Sequence, residues 1–385
     1  MHPMVKRGLR RAWRDLRYVQ FGATSAHAVI VGPVDTATGS LISLLDGTRG
    51  LPRLRDEAKA MGLPESQVDA LLARLATAGL VDDTTGGGPE ADALRERAGA
   101  ALERLRPDLA SLSVVHPEPG AAMARLAARG ATRVQVRGAG RVGAAIAAVL
   151  SASGVGRVDV LDSGHTAPWD VTPAGLAADA VGERRDAAAG RLVRQCAPVR
   201  LPRGVHRPPP ADQPRDEPPL SLVVVAPRDG LAVYAPDPAV AEQWLGTGTP
   251  HLYAGVLEAT GVVGPLVLPG GSACAGCMQG ARTDRDPAWP RMLAQWRSGR
   301  DASLAGPCDL ALATAVAGLA TAHALAFLDG DLPASTGARW EVSLPLLEWR
   351  SEWFRGHPDC SCGAVGHTVG ERAPGAGEPH DTMTG

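Results

Sequence analysis

Residues 134–143 constrain this chain more than any other stretch. Val134 and Val136 alternate in a short apolar run, and Gly138-Ala139-Gly140-Arg141-Val142-Gly143 follows at once as a complete G-x-G-x-x-G. Ala144 to Leu150 then has the composition of a helix, and Gly156 to Asp162 reads as a second strand ending in an acid. Strand, glycine turn, helix, strand and acid in this order are the fingerprint of a nucleotide-binding βαβ unit. Gly138 and Gly140 let the backbone turn tightly and come close to phosphate oxygens, which the free amides and dipole of the helix start attract. Gly143 lets the helix lie close on the strand, and Asp162 stands at the spacing a ribose contact needs. Gly138, Gly140, Arg141, Gly143 and Asp162 are therefore the candidate nucleotide-binding residues.

The rest of the chain is compatible with an α/β fold built on this unit. Its 385 residues exceed one ordinary domain. Apolar residues make up 45% but aromatics only 4%, a small-side-chain core that suits helices packed on a mostly parallel sheet. Leu220 to Ala226 reads as a further strand, preceded by a helix over Gly182 to Gln195 and by a proline-rich loop, Pro198 to Pro219, expected to be mobile. A net charge of −2 gives no strong pull toward nucleic acid or an anionic membrane. The basic N-terminus is followed by no apolar run of signal-peptide length. Leu310 to Leu328, which contains His323 and stops at Asp329, reads as a buried core helix rather than a membrane span. The expected compartment is the cytoplasm, where cysteines stay reduced and bind metal more often than they form disulfides.

Four of the six cysteines form two close pairs, Cys274-Ala275-Gly276-Cys277 and Cys360-Ser361-Cys362, each in a turn-rich segment. Such pairs can converge on one tetrahedral Zn²⁺ and clamp a loop to the C-terminal region. A redox role for the first pair is disfavoured on the expectation that Cys274 does not begin a helix after a strand. His357 and His367 are expected at the surface, and Cys196 and Cys308 as buried or spare thiols. Lysine is confined to Lys6 and Lys59, so arginine carries nearly all the positive charge.

The N-terminal region reads as a separate unit. Strands near Tyr18–Phe21 and His27–Val31 precede helices over Asp35–Leu45 and Leu51–Met61 and a third from Pro64, with Val68, Leu71, Leu72 and Leu75 on one face. A strand at Leu80-Val81 closes a winged-helix order. The expected division is a basic segment 1–18, a winged-helix unit 19–83, a linker with helices 84–130 (including Ala91–Leu105 and Ala121–Ala128), a nucleotide-binding-type domain 131–368 and a disordered tail 369–385. Residues Leu41–Gly50 and Ala70–Val81 resemble the PqqD-like domains that bind leader peptides, in which a peptide adds as a strand and packs on a helix. A packing or dimerisation module and a DNA-binding winged helix stay open, the latter weakened by the scarcity of positive charge on the third helix beyond Arg74.

Together, the glycine loop with its acid, the CxxC after an apolar strand (Val262 to Pro269) and the late second cysteine pair resemble the ThiF/MoeB/HesA family, relatives of ubiquitin-activating enzymes, over Arg133 to Gly363. The N-terminal unit makes the whole similar to ThiF-like proteins of thiazole/oxazole-modified peptide pathways. The resemblance implies a Rossmann-like, mostly parallel sheet with structural zinc, a common tendency to homodimerise, a precursor leader peptide as partner and a YcaO-type cyclodehydratase beside it. In members that adenylate a C-terminal carboxylate it also implies ATP and Mg²⁺. Against that pattern, Ser163-Gly164-His165 lacks the second acid, Trp169-Asp170-Val171 and Ala174-Gly175-Leu176 replace the Asn/Arg signature, and Arg184 or Arg185 lies near the place of the lysine. Asp229, in Ala226-Pro227-Arg228-Asp229, is a displaced candidate for the metal acid. Asp229 and Arg185 are thus the candidate catalytic residues. Two roles follow, a non-catalytic peptide-binding scaffold or an active adenylyltransferase. A third reading, an NAD-dependent oxidoreductase, fits the glycine loop but not the cysteine pairs, and it lacks a catalytic Tyr-x-x-x-Lys.

Overall fold

The computed structural model describes residues 1–97, 99–198, 219–298 and 306–367. The proline-rich stretch and the C-terminal tail singled out above lie outside the described residues, apart from Pro198 and Pro219. The chain forms two compact units, the first ending at Ala128 and the second beginning at Arg129.

The first unit starts with β1 (Pro3–Val5), β2 (Arg11–Trp13), β3 (Val19–Phe21) and β4 (Val29–Val31), continues through α1 (Thr36–Leu44), α2 (Leu51–Ala60) and α3 (Glu65–Thr77), and reaches β5 (Val81–Asp83). Strands β2, β3 and β4 form an antiparallel sheet in that order, and β1 pairs antiparallel with β5. Residues 1–18, read above as a basic segment, thus supply two strands. Three-residue strands among arginines leave little periodicity to detect. One of the basic side chains is interior: Lys6 is buried, and its Nζ donates to the carbonyls of His116 and Pro117 at 3.1 and 3.2 Å. Phe21, Leu41, Ile42, Leu54, Val68, Leu72 and Leu75 fill the core. Asp35 caps α1, its carboxylate accepting from the Thr38 amide. Within the helix expected over Ala91–Leu105, the described residues on either side of residue 98 are helical, as α4 (Gly88–Arg97) and α5 (Gly99–Arg104). Helices α6 (Arg106–Val115) and α7 (Ala121–Arg129) follow.

The second unit comprises β6 (Arg133–Arg137), α8 (Arg141–Ala152), β7 (Arg157–Leu161), α9 (Arg185–Cys196), β8 (Leu222–Val225), α10 (Leu231–Tyr234), α11 (Pro238–Gly246), β9 (His251–Leu257), β10 (Thr260–Val267), α12 (Ala275–Arg285), α13 (Trp289–Ser298), α14 (Leu310–Leu328), β11 (Ala338–Ser343) and β12 (Trp349–Trp353). Among the described residues the sheet has seven strands in the order β12-β11-β10-β9-β8-β6-β7. Strands β7, β6, β8 and β9 run parallel, and β10, β11 and β12 are added antiparallel. All four residues of β8 are buried, the mark of a strand covered on both faces. Val134, Val136, Leu222 and Val224 pack with α8 and α14, while Val223, Val225 and Tyr253 join Trp244 and Met278 on the other face. Because β7 lies on one side of β6 and β8 on the other, a crevice opens at the carboxyl ends of these strands, where ligands of such sheets bind.

Helix α14 is the one helix among the described residues long and apolar enough to cross a membrane. Its Leu312, Val316, Ala320 and Ala324 face is buried against the sheet and α8. That is core-helix packing, and Asp309 caps its start by accepting from the Leu312 amide at 3.0 Å.

His251, at the start of β9, has no exposed surface and lies 5.0 Å from the Trp244 ring. Burial pushes its pKa from 6.5 down to about 4, against a bond to the Thr249 carbonyl that works the other way. The folded state therefore keeps the ring neutral where the unfolded chain binds a proton. Its contribution to stability is complete above pH ~6.5 and falls as pH drops toward ~4, by about 3 kcal/mol in all. Urea unfolding at pH 7 and pH 4.5 should show this as a loss that shrinks by about 2 kcal/mol in His251→Phe. An unchanged pH dependence in that variant would contradict it.

Candidate functional site

The glycine loop sits at the carboxyl end of β6 with each glycine sterically fixed. A Cβ on Gly138, whose φ is +117°, would fall 2.0 Å from the Ala226 carbonyl oxygen, and one on Gly143 would fall 2.1 Å from the Gly138 oxygen. Gly138 thus lets the loop meet the end of β8, and Gly143 lets α8 close on the loop. Around the loop lies a cleft of about 1590 Å³, lined by Gly138 and Gly140, by Asp162 after β7, by Arg228 and Asp229 after β8, and by Trp244 and Trp296 from the helices.

Four of the charged groups in this cleft, Asp162, Arg185, Asp170 and Arg228, are engaged with one another. Asp162 accepts the Ala139 amide at 2.6 Å through one oxygen and pairs with Arg185 Nε at 2.8 Å through the other. Arg185 is also bonded to the carbonyls of His165 and Ser163, and its Nη1 lies 3.8 Å from Asp170. The buried Asp170 pairs in turn with Arg228 Nε at 2.9 Å. The Arg228 stem rests on Gly140, where a Cβ would meet its Cγ at 2.7 Å. Arg141 donates to the carbonyls of Trp169 and Cys308 at 2.6 and 2.8 Å. Asp229 lines the cleft and accepts the Leu231 amide at 3.0 Å. Gly138, Gly140, Arg141, Asp162, Arg185 and Asp229 thus line one cleft, while Gly143 lies behind the loop where α8 closes on it. Nothing local in the sequence announces the Asp170–Arg228 pair, whose members lie 58 positions apart on different loops.

The second candidate site is the cysteine cluster. The Sγ atoms of Cys274, Cys277, Cys360 and Cys362 all lie within 4.8 Å of one another. Three of the separations are 3.8 Å (Cys274–Cys277), 3.5 Å (Cys274–Cys360) and 3.4 Å (Cys277–Cys362). Four sulfurs held tetrahedrally at ~2.3 Å from Zn²⁺ stand about 3.8 Å apart, so the donor set and spacing fit such an ion. A hydrogen bond from the Cys274 thiol lowers the Cys277 pKa, and burial raises that of Cys362. Contrary to expectation, Cys274 does begin a helix after a strand: it is the N-cap of α12, which follows β10. The convergence of the second pair, rather than the missing helix, is what separates this cluster from a redox CxxC.

One stripe of α12 makes room for the C-terminal pair. A Cβ on Gly276 would fall 3.1 Å from Cys360 Sγ, and one on Gly280 would fall 2.8 Å from the His357 ring. One turn further on, Asp284 Oδ2 lies 2.9 Å from His357 Nε2. His357, expected at the surface, therefore has a side chain only 12% exposed and docks the cysteine-bearing segment onto α12. Cys308 lines the glycine-loop cleft, with its thiol pushed up by burial, which opposes a nucleophilic role. Cys196 ends α9 away from both sites.

Comparison with known proteins agrees with this geometry. No curated protein matches the chain. Among solved structures, Escherichia coli MccB with ATP superimposes with a TM-score of 0.65 at 14% identity, covering 94% of this chain and 99% of that one. The microcin C7 biosynthetic enzyme MccB in complex with N-formylated MccA gives 0.65 at 15% over the same shares, and PaaA gives 0.63 at 16%, covering 91% of this chain and 100% of that one. At these identities the likeness establishes the shared fold. The model of the ThiF family matches residues 121–364, well over half of the sequence, and the chain belongs to the ThiF family.

Proposed function

We propose that this protein serves a cytoplasmic peptide-modification system as a binding partner. Its first unit takes the leader segment of a precursor peptide, and its second unit, braced by Zn²⁺, supports a modifying enzyme such as a YcaO-type cyclodehydratase. The observation that carries this reading is the edge of β4. Strand β4 pairs with β3 on one side and with no strand on the other among the described residues, while Arg74 of α3 donates to the Gly32 carbonyl just beyond it at 3.3 Å. An open edge beside a helix suits an extended peptide, which gains main-chain hydrogen bonds from the strand and side-chain contacts from the helix. MccB, a fold relative over nearly the whole chain, has been solved with the peptide MccA.

The scaffold role is favoured over chemistry because the acid and cations beside the glycine loop already satisfy one another. A nucleotide would have to displace Arg185 from Asp162 and the Arg228 stem from Gly140 before reaching either. A second reading, ATP- and Mg²⁺-dependent adenylation of a peptide or ubiquitin-like carboxylate, draws support from Asp229 at the carboxyl end of β8 and from the MccB structure with ATP.

Fluorescence polarisation of the full chain with labelled precursor peptides encoded beside its gene should show saturable binding that depends on the N-terminal part of the peptide. Failure with every such peptide would remove the leader-binding reading. ATP–pyrophosphate exchange should be absent. Exchange that drops sharply in Asp162→Ala and Asp229→Ala would shift the assignment to the second reading.

A further inference from the structure

We infer that Arg137 anchors an oxyanion-binding subsite in the cleft, on the face of the sheet opposite α8, and that a ligand is held there by a carboxylate or phosphate group. Strand β6 reads Arg133-Val134-Gln135-Val136-Arg137, and its alternation sends Val134 and Val136 under α8 and the three polar residues to the other face. Arg133 is matched there by Asp159 at 2.8 Å. Arg137 is not matched by any carboxylate among the described residues. Its Nε donates to Gln135 Oε1 at 2.9 Å, and its guanidinium carbon lies 5.0 Å from the centre of the Trp244 ring.

These two contacts fix the plane of the guanidinium and use up one edge and one face. The Nη1–Nη2 edge is left without an acceptor among the described residues, in a cleft that Arg137 helps to line. Burial pulls its pKa below the ordinary arginine value, yet arginine does not give up its proton, so the charge stays in place with part of its hydration removed. The neighbouring cations are committed elsewhere: Arg141 to backbone carbonyls, Arg185 to Asp162, and Arg228 to Asp170. Val225, Val240, Trp244 and Tyr253 give the surroundings an apolar wall. A desolvated planar fork in such a wall suits a two-oxygen anion, which it can meet with parallel hydrogen bonds, and disfavours cations.

Arginine-specific labelling of the full chain with phenylglyoxal, read residue by residue by mass spectrometry, tests this directly. Three oxyanion probes would be used: ATP, inorganic pyrophosphate and the tripeptide Ac-Ala-Ala-Leu as free acid, with adenosine and the tripeptide amide as controls. Arg137 should label in the free protein, and at least one oxyanion, but neither control, should slow its labelling. Protection by ATP and pyrophosphate identifies a phosphate as the source, and protection by the acid identifies a carboxylate. For the protecting probe, calorimetry should find that Arg137→Gln weakens binding by about tenfold to a hundredfold, with part of the loss recovered in Arg137→Lys. Labelling of Arg137 unchanged by all three oxyanions, or unaltered affinity in Arg137→Gln, would overturn the assignment. The inference is independent of leader binding by the first unit, because precursor peptides can fail to bind while Arg137 is still protected.

Discussion

Removing the metal from the four-sulfur centre, or replacing Cys277 by alanine, is expected to produce the largest loss of stability that a local change can cause in the second unit. The centre joins the start of α12 to a turn 83 positions later, adding to the His357–Asp284 contact between the same two segments. The body of the sheet folds around the site, so the loss should be smaller than the 10–16 kcal/mol that zinc contributes to isolated finger peptides. An effect of about 3–5 kcal/mol is in keeping with the burial of two of the four thiols. For a unit of this size that corresponds to a melting point lower by about 10–15 °C. Elemental analysis of the purified chain should find one zinc, and melting with and without a chelator should show the drop. Cys277→Ala should melt like the chelated wild type and be insensitive to chelator. A metal-free preparation with an unchanged melting point would end the structural-zinc reading. Gly280→Val provides a check that leaves every sulfur in place. Its Cβ would enter the His357 ring, so it should loosen the same segment and weaken zinc retention.

What could be read from the sequence follows the range of the forces involved. The glycine loop, β6, α8 and β7 were legible because a strand alternation, a phosphate-type turn and an alanine-rich helix are each written in a few consecutive residues. The four cysteines were legible because thiol pairs at close spacing have few other uses in a reducing compartment. The start of α14 at Leu310 and its end at Leu328 were legible from its apolar run and from Asp329 beyond it. The ladder Asp162–Arg185–Asp170–Arg228 was not, since its members come from the segment after β7, the first residue of α9 and the loop after β8, which the fold brings together. Nor was the partner of Arg137, because Trp244 arrives from a helix more than 100 positions away. The alternation in β6 did carry a usable signal: it sets Arg133, Gln135 and Arg137 together on the face opposite the two valines. The strands within residues 1–18 were hidden for the opposite reason. At three residues each they are too short for a period, and the interior place of Lys6 depends on carbonyls at His116 and Pro117.

Replacing Asp329 by alanine is expected to destabilise the second unit by about 3–5 kcal/mol, because it leaves a buried guanidinium without its counter-charge. Arg129 meets Asp329 with two parallel bonds, Nε to Oδ1 at 2.7 Å and Nη2 to Oδ2 at 2.6 Å, and the two side chains are only 5% and 4% exposed. The carboxylate belongs to the C-cap of α14, where the helix dipole alone disfavours an anion, so Arg129 is what makes it tolerable. Arg129 also donates through Nη1 to the Ser153 carbonyl at the end of α8, and its own carbonyl accepts the Gly156 amide before β7. The Arg129 side chain thereby ties the ends of α14 and α8 together, and its main chain meets the entry to β7. Arg129→Met should cost a similar amount, this time by stranding the carboxylate. The double variant Arg129→Met with Asp329→Leu should recover much of the loss, since a matched apolar pair requires no desolvation of charge. Guanidinium unfolding of the four proteins gives the cycle. Single variants within about 1 kcal/mol of wild type, or losses that simply add in the double variant, would show that the pair is not the strut its geometry describes.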